Sequence, residues 1–441
     1  MQSSLRTYAL VVVLVVILVV VAVLGSRGGL TSSSASLPPA LPGPRVNRIA
    51  YVDLDGQVLS MNPDGSDILS ISAGDGFFTW PTWSPDAKTL VYSAVEGDRS
   101  SGPSISLYSF DTASGQSQKL FVGEPGVAGL LAEGVVHYPL WSPDSKRLAF
   151  IAVTARGLTL FVDEVSAATD VEPVLDRGPL WMSWSSDSAY LLVHRGADHF
   201  LVDTARGNAV ERLDVQAIEY RVPAWVPGQN TVTVLSSNGS GLDLGNADVV
   251  AGKLGKTRPI ASVTRAPAFL WSPDGAYLAL ADTVRPLSYL RLNLLAYRDL
   301  RLIPSDARSK QIELQDNILA YFWSPDSTKL AYVTLAEGTN VLRWKLLSVS
   351  DGSQTPLVDF VPSRDQLTMF QFFDQYAYSH LLWSPDSRSL VFAGQLDTSA
   401  VTASAALHPG HQGSHIIVID TEPTVSVEVI VPGTLGFWSP R

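Results

Sequence analysis

From residue 48 onward, apolar residues come in short runs bounded by Ser, Pro, Asp and Gly. Leu90-Val91-Tyr92, Leu148-Ala149-Phe150, Leu191-Leu192-Val193, Val232-Thr233-Val234, Leu278-Ala279-Leu280, Leu330-Ala331-Tyr332 and Leu390-Val391-Phe392 are examples. Runs of this length between turn residues predict strands. Each follows a tryptophan, at Trp83, Trp141, Trp184, Trp225, Trp271, Trp323 and Trp383, and Trp438 stands at an eighth such position. A second run follows, such as Ile105-Ser106-Leu107-Tyr108 or Leu158-Thr159-Leu160-Phe161, then an Asp/Gly turn and a weaker third run. With the strand that leads into the next tryptophan, this predicts four strands per unit.

The tryptophans sit in a repeated motif. Trp-Ser-Pro-Asp occurs at 83–86, 141–144, 271–274, 323–326 and 383–386, with looser copies Trp184-Ser185-Ser186-Asp187 and Trp225-Val226-Pro227-Gly228 and a partial one at Trp438-Ser439-Pro440. Ser, Pro with φ preset, and Asp predict a type I turn. The indole ending the preceding strand is expected to fill the wedge between neighbouring units. Trp83 and Trp438 are separated by seven intervals of about 51 residues, a period at which self-similarity indicates a propeller. Before Trp83 the chain supplies three strands, at 48–52, 57–61 and 68–71, and after residue 433 it supplies Leu435-Gly436-Phe437-Trp438. The two sets complement each other, so N-terminal strands are expected to close the last blade. The expected fold is all-β, an eight-bladed propeller of four-stranded blades. Seven blades is the alternative, because the fourth repeat loses its Asp.

These repeats resemble those of the TolB-like β-propeller family, W-S-P-D-G-K-x-L-A-F, over residues 48–441, and are related in shape to WD-repeat propellers. Trp271 to Gly275 alone keeps the Gly; Ala or Ser replaces it elsewhere. The resemblance implies a protein-docking platform, or a gate attached to a peptidase domain, for which this chain has no room. The α/β domain that precedes the propeller in TolB itself is missing, so the resemblance does not carry over a TolB-specific role.

The N-terminus has the opposite pattern. Tyr8 to Leu24 is unbroken apolar sequence, with no charge between Arg6 and Arg27. At about 1.5 Å per residue it is long enough to cross a bilayer as a helix. Residues 1–7 are read as a short cytoplasmic tail, 8–25 as an uncleaved transmembrane anchor rather than a signal peptide, and 26–47 as a Ser/Pro/Gly linker. The preferred orientation places the 48–441 domain outside the cytoplasm, in the cell envelope.

Composition narrows the function. A net charge of −11 argues against nucleic acid, and the absence of cysteine excludes disulfides and thiolate metal sites. There is no H-E-x-x-H and no G-x-S-x-G. Asp53-Leu54-Asp55-Gly56 lacks a full calcium-loop pattern and reads as a hairpin turn. No cofactor and no catalytic residue is implied.

The long connections, Val95 to Ser104, Val122 to Tyr138, Thr283 to Ser288, Val361 to Ser379 and Gln395 to Ser414, all fall at alternate joints and are expected on the face opposite the Trp-Ser-Pro-Asp turns. Two of them belong to one unit and bring Asp374, Tyr376, Tyr378 and His380 together with His408, His411 and His415. These seven are the candidate ligand-binding residues; His380, His411 and His415 are the weaker metal candidates. His137 and Tyr138 are expected near the centre of the disc. The expected function is a membrane-anchored scaffold that binds a protein or glycan through its long-loop face. Alternatives are a metal- or His/Asp-dependent hydrolase or lyase on that face, and a structural subunit of an envelope complex.

Overall fold

The computed structural model describes residues 46–441 except 98–102, 125, 126, 128, 133, 166–170, 217–220, 238–240, 265, 283, 290, 291, 307, 308, 337–340 and 397–412. The expected membrane anchor and most of the linker lie outside the described residues, as do His408 and His411. No helix among the described residues is long and apolar enough to cross a membrane.

The short apolar runs form antiparallel four-stranded sheets. Gly76–Trp83, Thr89–Glu96, Ser104–Asp111 and Gln116–Val122 make one; Tyr138–Trp141, Arg147–Thr154, Gly157–Glu164 and Pro173–Leu175 make the next. In each the strand ending in tryptophan lies at one edge, and the chain meanders outward from it. The later units merge into one continuous sheet. There Ile312–Trp323 pairs first with Leu292–Pro304 and then, past a register shift at Ile318, with Lys329–Leu335. The two ends of the chain share a sheet. Leu435–Trp438 pairs antiparallel with Ile49–Val52, with Trp438 opposite Ile49. Arg48 ties this sheet down. Its buried guanidinium donates to Ser60 Oγ and carbonyl, to Asn62 and to Asp67, and its N–H donates to Ser439 Oγ.

The Trp-Ser-Pro-Asp turn works as a bolt between units. In the second copy Ser145 N–H donates to Ser142 carbonyl, closing the type I turn, and Ser142 Oγ donates to Asp144 at 2.6 Å. The same Ser–Asp bond recurs at 84/86, 185/187, 272/274, 324/326 and 384/386. The residue after Asp is left-handed in each of these copies, with φ of 60° at Ala87, 63° at Ser145, 62° at Ser188, 71° at Gly275, 63° at Ser327 and 62° at Ser387. This explains the Gly at position 275. A Ser at the equivalent position costs about 1 kcal/mol, but its Oγ accepts the Asp N–H of the preceding unit. Asp86 thus bonds Ser145, Asp144 bonds Ser188, Asp274 bonds Ser327 and Asp326 bonds Ser387. The indoles add a second link. Trp141, Trp184, Trp225, Trp323 and Trp383 donate Nε1–H to carbonyls of Thr82, Leu140, Ser183, Leu270 and Phe322, and Trp271 donates to Thr233 Oγ1. Trp438, within the sheet shared by the chain ends, and Trp83, in the sheet that follows it, have buried Nε1 atoms with no acceptor.

One segment departs from the meander. Between Gln354–Pro362 and the Trp383 turn, the chain forms α1 (Arg364–Gln371) and α2 (Phe373–Tyr376). The expected surface loop at 361–379 is therefore corrected to a helical plug. Ser363 caps α1 by accepting Gln366 N–H. Gln366 then replaces a missing strand partner: its Oε1 accepts Ala393 N–H at 3.0 Å, while Ser363 N–H donates to Ala393 carbonyl. Phe370 packs on Phe322, Trp344 and Phe360. The physical reason is composition, because so dense a set of aromatic rings gains most when removed from water on every side.

Candidate functional site

The plug brings four of the expected site residues to the middle of the molecule. Asp374 is 2% exposed, Tyr376 3%, His380 1% and Tyr378 43%. Tyr376 stacks on Trp80 with ring centroids 4.6 Å apart and meets Tyr138 edge-on at 5.3 Å. Phe373 lies 4.6 Å from Tyr321, and Tyr138 Oη donates to Gln375 carbonyl at 2.6 Å. Tyr378 Oη accepts the Trp271 backbone N–H at 3.0 Å. Residues from strands Gly76–Trp83, Tyr138–Trp141, Ala268–Trp271, Ile312–Trp323 and Leu435–Trp438 thus converge on one segment. Trp80, at φ 53°, sits where the register of Gly76–Trp83 shifts, which turns its ring onto Tyr376.

The histidine and carboxylate of this cluster are occupied. His380 Nε2 lies 2.9 Å from Thr82 Oγ1 and Nδ1 lies 2.7 Å from Ser379 Oγ, with Trp80, Tyr376 and Phe437 around the ring. Burial lowers its pKa to about 3. Asp374 faces Arg221 instead: Arg221 Nε donates to Oδ2 at 3.0 Å, and the second guanidinium nitrogen lies 2.7 Å from Oδ1. Burial pushes the Asp374 carboxyl above the usual carboxylate range, against the pull of Arg221. Burial also opposes the Arg221 charge, yet Asp374 and Tyr297 hold its pKa above the ordinary guanidinium value. Arg221 further donates to Gln371 carbonyl and lies 5.5 Å over Phe372. The pair spans 153 positions in sequence, and no spacing motif could have pointed to it.

The remaining described histidines are placed elsewhere. His415 begins strand His415–Asp420, with Nδ1 2.9 Å from Gly413 carbonyl. Tyr138 reaches the plug as expected, whereas His137 turns away between sheets, with Nδ1 3.0 Å from Ser93 Oγ and Phe121 and Phe150 edge-on. Burial lowers its pKa to about 3. His194 and His199, not singled out by the sequence, lie 5.5 Å apart on paired strands, and His194 Nδ1 is 2.8 Å from Arg221 carbonyl. Among the described residues no cluster of three His, Asp or Glu is arranged to hold a metal ion.

Two polar cavities lie away from the plug. One, of about 210 Å³, is lined by Arg298, Asp299, Gln315, Asp316 and Asn317. The other, of about 370 Å³, shares Asp316 and Asn317 and adds Thr334, Leu335, Ala336, Arg343 and Lys345. Asp316 and Asn317 sit where an outer strand passes to the next tryptophan strand, and Leu335 ends Lys329–Leu335, whose other end meets the Ser324–Asp326 turn. Both cavities therefore open on the face opposite the Trp-Ser-Pro-Asp turns. Lys345 Nζ lies 2.6 Å from Asp316 Oδ2, and Arg343 holds Asp359 through two bonds of 2.5 and 2.7 Å.

No family model matches the chain, and no curated protein matches it. Solved structures do. The chain is similar to a eukaryotic initiation factor (14% identity, 90% of this chain and 99% of that one, TM-score 0.52). It is similar to the dihydro-heme d1 dehydrogenase NirN (13% identity, 91% and 78%, TM-score 0.52). TolB from Acinetobacter baumannii also matches, at 17% identity over 71% and 64%, with a TM-score of 0.35. With the repeated four-stranded antiparallel sheets, this likeness defines a β-propeller.

Proposed function

We propose that this protein is a binding scaffold that presents the long-loop face of an eight-bladed propeller to a protein or glycan partner. In this reading the pairing of Leu435–Trp438 with Ile49–Val52 closes the ring, and residues 8–25 tether it to a membrane with the propeller outside the cytoplasm. The observation that carries the reading is the filled centre. Asp374, Tyr376 and His380 are committed to internal partners, which leaves them no free group for a ligand, while polar cavities open on the face opposite the Trp-Ser-Pro-Asp turns. Rigid sheets holding a variable face suit recognition. A His/Asp hydrolase at the plug is disfavoured, because His380 faces two hydroxyls and Asp374 faces a guanidinium, with no reacting group between them.

The test places a photo-crosslinking amino acid in the full-length chain in its native membranes. One variant carries it at exposed Gln315 on the long-loop face, another at Lys88 beside a Trp-Ser-Pro-Asp turn. Discrete adducts from position 315 and none from 88 are expected. Adducts only from 88, or from neither, would overturn the proposal.

A further inference from the structure

The groove on this face is lined mainly by charged and polar side chains. Its lining carries three cations, Arg298, Arg343 and Lys345, against two carboxylates, Asp299 and Asp316, in a chain whose net charge is −11. Lys345 and Arg343 are already matched, by Asp316 and Asp359. Arg298 is exposed and has no ion pair among the described residues. Asp299 beside it has no ion pair among the described residues either, so Arg298 is left to meet a ligand carboxylate and Asp299 a ligand hydroxyl.

The rest of the wall selects among acids. Asp299 and Asp316 accept only, the guanidinium and ammonium groups donate only, and Gln315 and Asn317 do both. Vicinal hydroxyls meet such a wall well, because each donates to a carboxylate and accepts from a cation. A peptide offers one backbone donor per residue, whereas each sugar ring offers two vicinal hydroxyls that donate and accept at once. Of the lining residues only Leu335 and Ala336 are apolar, which leaves little for an apolar ligand. The two cavities share Asp316 and Asn317 and so adjoin as one groove.

We propose that this groove binds an acidic oligosaccharide of the uronate class, with a ring carboxylate on Arg298 and ring hydroxyls on Asp299, Asp316, Asn317 and Lys345. The proposal rests on the reading of the long-loop face as the binding face and names its ligand.

The test is calorimetric titration of the full-length chain in detergent with two probes, cellotriose and its C6-oxidised counterpart, the triglucuronate. They share ring size and linkage and differ in the carboxylates. Saturable binding of the triglucuronate is expected, with cellotriose about tenfold weaker or more. Arg298→Gln, at an exposed and unpaired position, should weaken the triglucuronate by about tenfold at unchanged melting temperature. Equal binding of the two probes, binding untouched by Arg298→Gln and by Lys345→Met, or no binding to a cooperatively melting chain would each overturn it. The crosslinking variant at Gln315 separates the two failures. Adducts at 315 without triglucuronate binding retire the ligand class and keep the face, and silence in both retires both.

Discussion

Three histidines buried as neutral rings make this fold sensitive to mild acid. His137, His199 and His380 are fully or almost fully buried, and burial lowers their pKa values to about 3, 4 and 3. In the unfolded chain each titrates near 6.5. The unfolded state therefore takes up protons first as pH falls, so the stability these rings contribute is complete above pH ~6.5 and is lost from there down towards pH 3–4. At pH 5 each ring is about 1.5 pH units below its unfolded pKa and still neutral when folded, which costs about 2 kcal/mol each, or roughly 6 together. Near pH 5.5 unfolding free energy should fall by about 3–4 kcal/mol per pH unit. Burial also raises the carboxyls of Asp374 and Asp53, which act in the opposite sense and are common to every variant. The assay is urea unfolding followed by tryptophan fluorescence at half-unit steps from pH 7.5 to 5. Wild type should show the steep loss, to which His194, also lowered by burial, adds, and His380→Gln and His137→Gln should each remove about a quarter to a third of the slope, whatever their effect at pH 7.5. A stability flat between pH 7 and 5.5, or a slope unchanged in both variants, would refute the assignment of these rings as dry and neutral.

Other outcomes follow from the plug and the bolts. Arg221→Met strands the Asp374 carboxylate in the interior and should destabilise by about 3–5 kcal/mol, most of it recovered in the Arg221→Met/Asp374→Leu double variant, read by urea midpoint. Gln366→Leu removes the acceptor for Ala393 N–H and should cost about 1–3 kcal/mol, with faster amide exchange at Ala393 than at Val391, which bonds Leu382 carbonyl. Trp141→Phe loses the bond to Thr82 carbonyl, whereas Trp83→Phe loses none. Trp141→Phe should therefore be the costlier by about 1 kcal/mol in thermal unfolding, and equal costs would show that the indole bonds contribute nothing net.

The sequence by itself determined the repeated units, because their information is local. Trp, Ser, Pro and Asp dictate a type I turn within five residues, and the alternating run behind it dictates a strand, whatever lies elsewhere. The complementary deficits of the two ends likewise indicated that 435–438 belongs with 49–52, and that pairing forms. A trace of the plug was also present, since Ser363-Arg364-Asp365-Gln366 has the Ser-x-x-Gln pattern of a capped helix. Its placement was not legible. Whether an aromatic segment lies on a surface or fills a centre depends on how much empty, apolar space the surrounding sheets leave, a property of the assembled sheets and of no single stretch. The same holds for the chemistry. Asp374 and His380 read as a ligand pair on spacing, yet the tertiary structure gives one to Arg221, far upstream in the chain, and the other to Thr82. It also builds the polar groove from Arg298, Asp316 and Lys345, which adjoin only after their strands have paired in one sheet. Turn and strand propensities act over a few ångströms of chain, whereas charge pairing and burial act through space, and only folding sets those distances.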